Sequence, residues 1–272
     1  MCELFAMSSN AAASVKYSLE EFSKHGGLTA GNKDGWGISY YEGGEARLIK
    51  EAAPAASSPW VSFVAEQYLR SDCVMAHVRL ASRGAVRLEN THPFDRELGG
   101  RRHVFAHNGS LDGFCDGLPL KQELYRPIGD TDSEHAFCVL LERLHDAWWK
   151  NGMPSLGERM EIVSGFAMDA RRLGQANFLY YDGDVLFVHA HKRRWEENGE
   201  CSEPRAPGLH VRTIERYLSG QGVDVGGLQV DCPDQEVLLF ASVPLSRGDW
   251  DPIEEGTLLG VKAGREVARI TP

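Results

Sequence analysis

A cysteine stands at the second position of the chain, directly after the initiator methionine. A small second residue allows the methionine to be removed, and we expect Cys2 then to carry both a thiol and a free α-amine. An α-amine has a reference pKa of about 7.7–8.0, so it can serve as general base for the thiol of its own residue. The alternative is a buried, inert strand cysteine, which is the commoner case when this feature is taken alone.

An Asn-Gly pair ends the apolar stretch HVFAHNGSL. Between strand-like segments Asn-Gly is the strongest short hairpin signal, so a plain turn is one interpretation. The other is an oxyanion hole, in which the Asn108 side-chain amide and the Gly109 backbone N–H stabilise a tetrahedral acyl intermediate. Glycine would also allow the backbone to approach a substrate closely.

Two charged residues could hold the ends of an amino-acid substrate. Arg79, in MAHVRLASRG, has a planar guanidinium that matches a carboxylate, although a lone strand arginine is more often a surface residue. Asp132, in GDTDSEHAF, stands at a predicted helix start and could bind an ammonium group. Thr131 and Glu134 fit a capping box there, and that interpretation does not require Asp132. Together these residues suit an α-amino acid with an acyl group at the far end of its side chain.

The elements that must position these residues follow from hydrophobic patterning, which predicts strands, then helices, then strands again. The predicted elements are a strand at 3–9, a helix at 14–25, a strand from about Trp36 to Tyr41, a short helix opened by Pro59, strands in CVMAHVRLAS and RHVFAHNGSL, two long helices after Thr131, a hairpin in NFLYYDGDVLFVHAH, a surface loop at 196–208, and strands in EVLLFASVPL, TLLGVK and GREVARI. Alternation in CVMAHVRLAS places His77 and Arg79 on one strand face. No internal repeat or linker divides the chain, so we predict a single α+β domain over residues 1–272.

Composition excludes several classes of function. The 272 residues carry a formal net charge of -10 and no extended basic stretch, which argues against nucleic-acid binding. No apolar segment approaches the roughly 20 residues that span a bilayer, and no signal-peptide pattern is present, so we expect a cytoplasmic protein with no membrane contact. The six cysteines are scattered without a CxxC pair, which argues against a zinc ribbon or a disulfide framework. His189 and His191 share a strand face but have no third ligand in the sequence pattern, so we expect neither metal nor cofactor.

Six motifs occur in a fixed order: MCELFAMS, KDGWGISYYEG, AHVRLASRG, ENTHPFDRELGGR, FAHNGSL and GDTDSEHAF. With its motifs in this order, the chain resembles the class-II glutamine amidotransferases, which are the branch of the Ntn hydrolases with an N-terminal cysteine. Within that family it resembles most closely the stand-alone YafJ-type members. The later stretches NFLYYDGD and ASVPL also fit, so the resemblance covers essentially the whole chain. It implies a four-layer αββα sandwich of two stacked, mainly antiparallel sheets.

The resemblance also implies roles for individual residues. Cys2 would be the nucleophile and its α-amine the base, with Asn108 and Gly109 as the oxyanion hole. Arg79 would bind the α-carboxylate of the substrate and Asp132 its α-ammonium group.

Further residues are expected around the pocket. Backbone groups near Leu80 and Ser82 would line it. His92, in THPF, would shape its rim, or would be a structural histidine. Trp36 and Gly37, in KDGWG, would allow close packing near the nucleophile.

The expected reaction is hydrolysis of the side-chain amide of glutamine or a γ-glutamyl compound through a thioester on the cysteine. The motifs start at residue 2 and predicted strands continue to residue 272, so we expect no second catalytic domain. A second hypothesis is therefore an ammonia-supplying subunit of a partner synthetase. A third, from another class, is a catalytically lapsed glutamine-binding or regulatory protein, against which the complete motif set argues.

Overall fold

A computed structural model of the chain describes residues 2–67, 69–122, 124–197, 200–214, 223–225, 228–230, 235–246 and 249–272. Met1, on which the expected trimming depends, lies outside the described residues. The helices are α1 (Lys16–Lys24), α2 (Pro59–Glu66), α3 (Phe114–Gly117), α4 (Asp132–Asn151) and α5 (Leu156–Leu173), with 3₁₀ turns at Ala55–Ser57 and Leu88–Asn90. None of the described helices is long and apolar enough to cross a bilayer.

Two antiparallel sheets and a short ribbon contain the strands. Sheet 1 follows the order β15-β11-β14-β1-β4-β2-β3, with β12 and β13 attached beside β1, and sheet 2 follows the order β17-β16-β8-β7-β6-β5. The strands of sheet 1 are β1 (Glu3–Ser14), β2 (Trp36–Glu42), β3 (Glu45–Glu51), β4 (Arg70–Val78), β11 (His210–Ile214), β12 (Val223–Val225), β13 (Leu228–Val230), β14 (Val237–Ala241) and β15 (Asp251–Pro252). Those of sheet 2 are β5 (Phe94–Leu98), β6 (Arg101–Asn108), β7 (Asn177–Tyr181), β8 (Leu186–His189), β16 (Leu258–Lys262) and β17 (Arg265–Ile270). The ribbon, β9 (Glu196–Glu197) and β10 (Glu200–Cys201), lies in the predicted surface loop 196–208.

The core is divided into three apolar layers, and β1 shows how one strand serves two of them. Phe5 and Met7 pack with α1 and α2 on one face of sheet 1. Leu4 and Ala6 point to the other face and pack against sheet 2. Because successive strand residues face opposite sides, a run of apolar residues buries both faces. A third layer joins sheet 2 to α4 and α5, so the predicted four-layer αββα sandwich is confirmed.

The helix predicted at 14–25 is confirmed as α1, and the apolar positions that predicted it are all buried. At the start of α4, Thr131 accepts a hydrogen bond from the Glu134 backbone N–H at 3.2 Å. The reciprocal half of the predicted capping box is absent, because the two Glu134 carboxylate oxygens bind Arg96 at 2.5 Å and the Gly129 N–H at 2.7 Å instead.

The predicted hairpin around DGD is confirmed, since β7 and β8 pair in antiparallel register. The hairpin interpretation of Asn108-Gly109 is wrong. β6 ends at Asn108 and pairs with β5 and β7, and the three helices α3, α4 and α5 intervene before β7 begins. The Asn-Gly pair therefore ends a strand at the edge of the layered core rather than turning back on itself.

Candidate active site

The thiol of Cys2 contacts the backbone of Leu80 twice. Cys2 Sγ lies 3.2 Å from Leu80 O, to which it donates, and 3.2 Å from Leu80 N, from which it accepts. Strand register explains the contact, because Glu3 pairs with Val78 and the residues beyond both strand ends therefore meet. Burial raises the pKa of the Cys2 thiol, while the Leu80 N–H and the Arg79 guanidinium act in the opposite direction by stabilising the thiolate.

A loop from the KDGWG motif holds the backbone that faces the thiol. Asp34 N–H donates to Arg79 O at 2.9 Å, and Arg79 N–H donates to Gly35 O at 2.7 Å. The Asp34 carboxylate accepts from Ala81 N–H at 2.9 Å. Sequence reasoning missed Asp34, because Asp-Gly indicates only a turn and nothing local links it to residues 79–81.

Asn108 is fully buried at the end of β6. Its Nδ2 lies 3.2 Å from Ser242 Oγ, and its Oδ1 has no hydrogen-bond partner among the described residues. Its carbonyl oxygen accepts from Asn177 Nδ2 at 3.1 Å. At Gly109 a Cβ would lie 1.7 Å from Gln175 O, so only glycine fits this position. The pair is thus fixed on both sides by neighbouring chain segments.

Arg79 is a buried residue, with 3% of its surface exposed, and not the surface arginine of the alternative interpretation. Its guanidinium donates to Ala85 O at 3.1 Å, Arg83 O at 2.9 Å and Gly84 O at 3.3 Å. These acceptors are all backbone carbonyls, and no carboxylate in the described part of the chain forms an ion pair with it. A buried guanidinium without a carboxylate partner retains the capacity to bind one from a ligand.

Asp132 is the first residue of α4 and is buried. Its Oδ2 accepts from Leu111 N–H at 2.7 Å and its Oδ1 from Ser133 N–H at 3.0 Å. Ser82 Oγ lies 3.4 Å from Ser110 Oγ, which brings the segment after Leu80 beside the segment after Gly109. The contacts of Cys2 with Leu80, of Ser82 with Ser110 and of Leu111 with Asp132 therefore bring these segments together at one end of the two sheets.

His92 lies inside the protein rather than on an open rim. Its ring packs against the His77 ring at an angle of 37°, with centroids 4.2 Å apart, and none of the four ring nitrogens has a partner among the described residues. Burial lowers the pKa of His77 to about 3 and the pKa of His92 well below its ordinary value, so both rings are neutral. His107 lies nearby, and its ring nitrogens bind Ser133 Oγ at 2.8 Å and Gln175 O at 2.9 Å.

The two KDGWG residues predicted near the pocket have different positions. Trp36 belongs to the apolar layer beneath α1 and α2, on the face of sheet 1 away from sheet 2, and its Nε1 donates to Glu51 at 2.8 Å. The structure therefore does not place the Trp36 ring with the other site residues. A Cβ at Gly37 would lie 2.2 Å from His92 O, so this glycine allows the His92 loop to pack closely.

A charged cluster absent from the predictions lies beside the start of β1. Glu3 Oε2 is 2.6 Å from His25 Nδ1, and the opposite Glu3 oxygen lies 3.9 Å from Arg193. The hydrogen bond from Glu3 raises the pKa of His25, against the opposing effect of burial. Arg193 lies over the Trp195 ring, 4.9 Å from its centroid, and these residues line a cavity of about 430 Å³. The members are too far apart in sequence for a local pattern to join them.

Metal binding finds no support in the described residues, where no group of three or more His, Cys, Asp or Glu side chains could hold an ion. His189 instead binds Ala176 O at 2.6 Å through Nδ1, and His191 lies 3.5 Å from Glu255.

Comparison with known proteins identifies the family to which the chain belongs. Residues 1–272 match the family model for class-II glutamine amidotransferases, and the chain belongs to that family. It is 35% identical over 257 residues to YafJ of Escherichia coli strain K12, covering 94% of this chain and 95% of that protein. It is 36% identical over 124 residues to a gamma-glutamyl-hercynylcysteine sulfoxide hydrolase of Mycobacterium tuberculosis, covering 40% of this chain and 50% of that protein. The crystal structure of a "predicted glutamine amidotransferase" from Pseudomonas aeruginosa PA01 superposes with a TM-score of 0.69 at 29% identity, covering 98% of this chain and all of that one.

Proposed function

We propose that the protein hydrolyses the side-chain amide of glutamine, or of a γ-glutamyl compound, through a thioester on Cys2. The observation that carries the proposal is the contact of Cys2 Sγ with Leu80, at the sheet end that also holds Arg79, Asn108 and Asp132. Family membership supports the use of glutamine. The match over residues 1–272 supports a single amidotransferase domain.

Substrate binding uses the two charged groups. The Arg79 guanidinium binds the α-carboxylate, because it is buried and its present acceptors are only backbone carbonyls. The Asp132 carboxylate binds the α-ammonium group through lone pairs left free by Leu111 and Ser133. Backbone groups of Leu80 and Ser82 line the intervening pocket. Holding both ends of the amino acid makes the attack on its side chain effectively unimolecular.

Acyl transfer begins when the thiol loses its proton to the α-amine exposed by removal of Met1. The sulfur forms a bond to the amide carbon, and the carbonyl electron pair moves to oxygen, where the Asn108 amide and the Gly109 N–H donate to it. The ammonium group of Cys2 then returns its proton to the departing amine as the C–N bond breaks. Water adds to the resulting thioester, and glutamate leaves as the thiol is regenerated.

Hydrolysis without a partner is favoured over ammonia delivery by one comparison. The partial relative from Mycobacterium tuberculosis is named as a hydrolase of a γ-glutamyl compound. An ammonia-supplying subunit of a partner synthetase would instead need that partner for rapid turnover, and a lapsed binding protein would show none. The reaction measured with the purified chain alone separates these cases.

The test uses protein shown by intact mass to begin at Cys2. We expect release of glutamate and ammonia from glutamine or a γ-glutamyl amide in a substrate panel, and one adduct with the glutamine-mimicking electrophile diazo-oxo-norleucine. The Cys2→Ala variant is the matched control and loses both signals. Absence of an adduct on wild-type protein lacking Met1 would falsify the proposal. An adduct without turnover would point to the partner-dependent alternative.

A further inference from the structure

Ser242 is a fully buried residue that follows β14 and joins the start of β1 to the end of β6. Its N–H donates to Leu4 O at 3.0 Å, and its Oγ accepts from Leu4 N–H at 3.0 Å. Its carbonyl oxygen accepts from Arg193 at 2.8 Å. The hydroxyl is therefore held beside Leu4, which lies two residues after Cys2.

The remaining contact of this hydroxyl is with Asn108, whose Nδ2 lies 3.2 Å from Ser242 Oγ. In that orientation Ser242 Oγ accepts twice, and its own hydrogen has no acceptor among the described residues. Asn108 Oδ1 is also buried without a described partner. Two polar groups thus stay unpaired where burial makes each unmade hydrogen bond costly.

A half-turn of the Asn108 amide exchanges Nδ2 and Oδ1 and moves no other heavy atom. Ser242 then donates its hydroxyl hydrogen to Oδ1 while it still accepts from Leu4 N–H, so both orphaned groups gain a partner. The Nδ2 group takes the former place of Oδ1, and its N–H is free to donate. A free donor there is what a developing oxyanion requires, whereas a free carbonyl oxygen would repel it.

We infer that Ser242 is a positioning residue for the oxyanion hole, whose hydroxyl donates to Asn108 Oδ1 and holds the Asn108 N–H toward the reacting carbonyl oxygen. This role rests on the proposed function, because it assigns Ser242 an effect on the same acyl transfer. Ser242 does not touch the substrate. It acts through Asn108.

The closing experiment is a double-mutant cycle with Ser242→Ala, Asn108→Ala and the double variant. Loss of an oxyanion donor typically costs about 10²–10³ in rate, so we expect Asn108→Ala to lower kcat by that factor and Ser242→Ala to lower it by about 10- to 100-fold. KM should change by less than about threefold, because the contact strengthens in the transition state. In the Asn108→Ala background, removal of the Ser242 hydroxyl should have no further effect on kcat.

A second readout separates positioning from packing. Glutamate γ-semialdehyde forms a thiohemiacetal with the thiol, and its inhibition constant should rise in Ser242→Ala in parallel with the fall in kcat. Rates are normalised to sites labelled by diazo-oxo-norleucine, so an unfolded fraction does not count. If Ser242→Ala does not fold, Ser242→Cys keeps a weak donor of similar size and should lose less than tenfold.

Ser39→Ala is the matched control, because it removes a fully buried hydroxyl of sheet 1 whose one partner among the described residues is Met75 O. It should leave kcat within about twofold. An unchanged kcat in Ser242→Ala, or an equal further loss in the Asn108→Ala background, overturns the inference. A wild-type protein without turnover, or a wild-type rate in Asn108→Ala, instead contradicts the proposed function itself.

Discussion

The carboxylate of Asp132 accepts a hydrogen bond from the Leu111 N–H at 2.7 Å, and this contact ties the segment after the Asn-Gly pair to the first turn of α4. One side chain therefore lies at the meeting point of the oxyanion segment and the proposed ammonium site. Its structural contact and its proposed charge interaction can be separated by substitution.

Asp132→Asn should retain an oxygen that accepts from Leu111 while losing the negative charge. We expect kcat/KM for glutamine to fall about 10- to 100-fold, the range for a lost charged hydrogen bond. The unfolding free energy should fall by about 1–3 kcal/mol, because the new amide nitrogen cannot accept from the buried Ser133 N–H. Steady-state kinetics on glutamine and on 5-amino-5-oxopentanoate, which lacks the α-ammonium group, provides the measurement. A loss of equal size on both substrates would show that Asp132 acts only through the fold.

Arg79→Lys should keep a positive charge but lose the planar pair of donors that fits a carboxylate. We expect kcat/KM for glutamine to fall about 10²-fold, mostly through KM. On 4-aminobutanamide, which lacks the carboxylate, the variant and the wild type should differ by less than about threefold. If both substrates suffer alike, the Arg79 contacts to the 83–85 carbonyls account for the effect, and the carboxylate role is wrong.

Gly109→Ala should destabilise the protein and abolish turnover, because the added Cβ would lie 1.7 Å from Gln175 O. Overpacking of this kind costs about 1–3 kcal/mol or more, and the backbone shift would move the Gly109 N–H. Gly165→Ala is the matched control, since that glycine lies within α5 with no atom within 4 Å of its added Cβ. It should raise stability by up to about 1 kcal/mol. Urea unfolding of both variants gives the comparison.

The Glu3–His25 pair should make stability depend on pH. Its hydrogen bond raises the pKa of His25, which also senses Glu21 and Arg193, so the folded chain holds this proton more tightly than the unfolded chain. The stabilisation is therefore complete below the ordinary histidine pKa of about 6.5 and is lost as pH rises through the higher folded value. Glu3→Gln should cost more stability near about pH 6 than near about pH 9.

Urea unfolding of wild type and Glu3→Gln across this pH range tests the prediction. Glu266→Gln is the control, because its exposed pair with Arg269 at 2.6 Å lowers the Glu266 pKa, which keeps its titration below this range. The difference between that variant and wild type should stay constant. A constant difference for Glu3→Gln as well would show that His25 does not carry the proton in this contact.

Local patterns predicted much of this architecture. Val15, directly before α1, and Leu19 and Phe22 within it repeat at helical spacing and are buried, because one apolar face must pack on sheet 1 whatever the rest of the chain does. The four-layer arrangement and the candidate site residues were predicted from the family resemblance that the ordered motifs carry. Asn108-Gly109 shows the limit of a local pattern, because the same two residues form a hairpin or end a strand according to which segment pairs next.

Contacts between distant segments could not be predicted. Ser242 reaches Asn108 across 134 positions, and the Asp34 carboxylate reaches Ala81 across 47. Such pairs depend on strand order and register, which no short window of sequence contains. The contact between the His77 and His92 rings is a further example, because the two residues lie in different segments and no sequence periodicity links them.

The position of β1 has a consequence for biosynthesis. This first strand lies between β4 and β14, so one of its long edges is completed by residues 237–241 and, at Ser14, by β13, both near the end of the chain. During translation the thiol-bearing strand therefore waits with an unpaired edge until nearly the whole polypeptide has emerged from the ribosome. Ser242, whose hydroxyl contacts the Asn108 amide, arrives with the same late segment. A nascent chain thus carries the proposed nucleophile, Cys2, from the beginning but completes the strand pairing around it last.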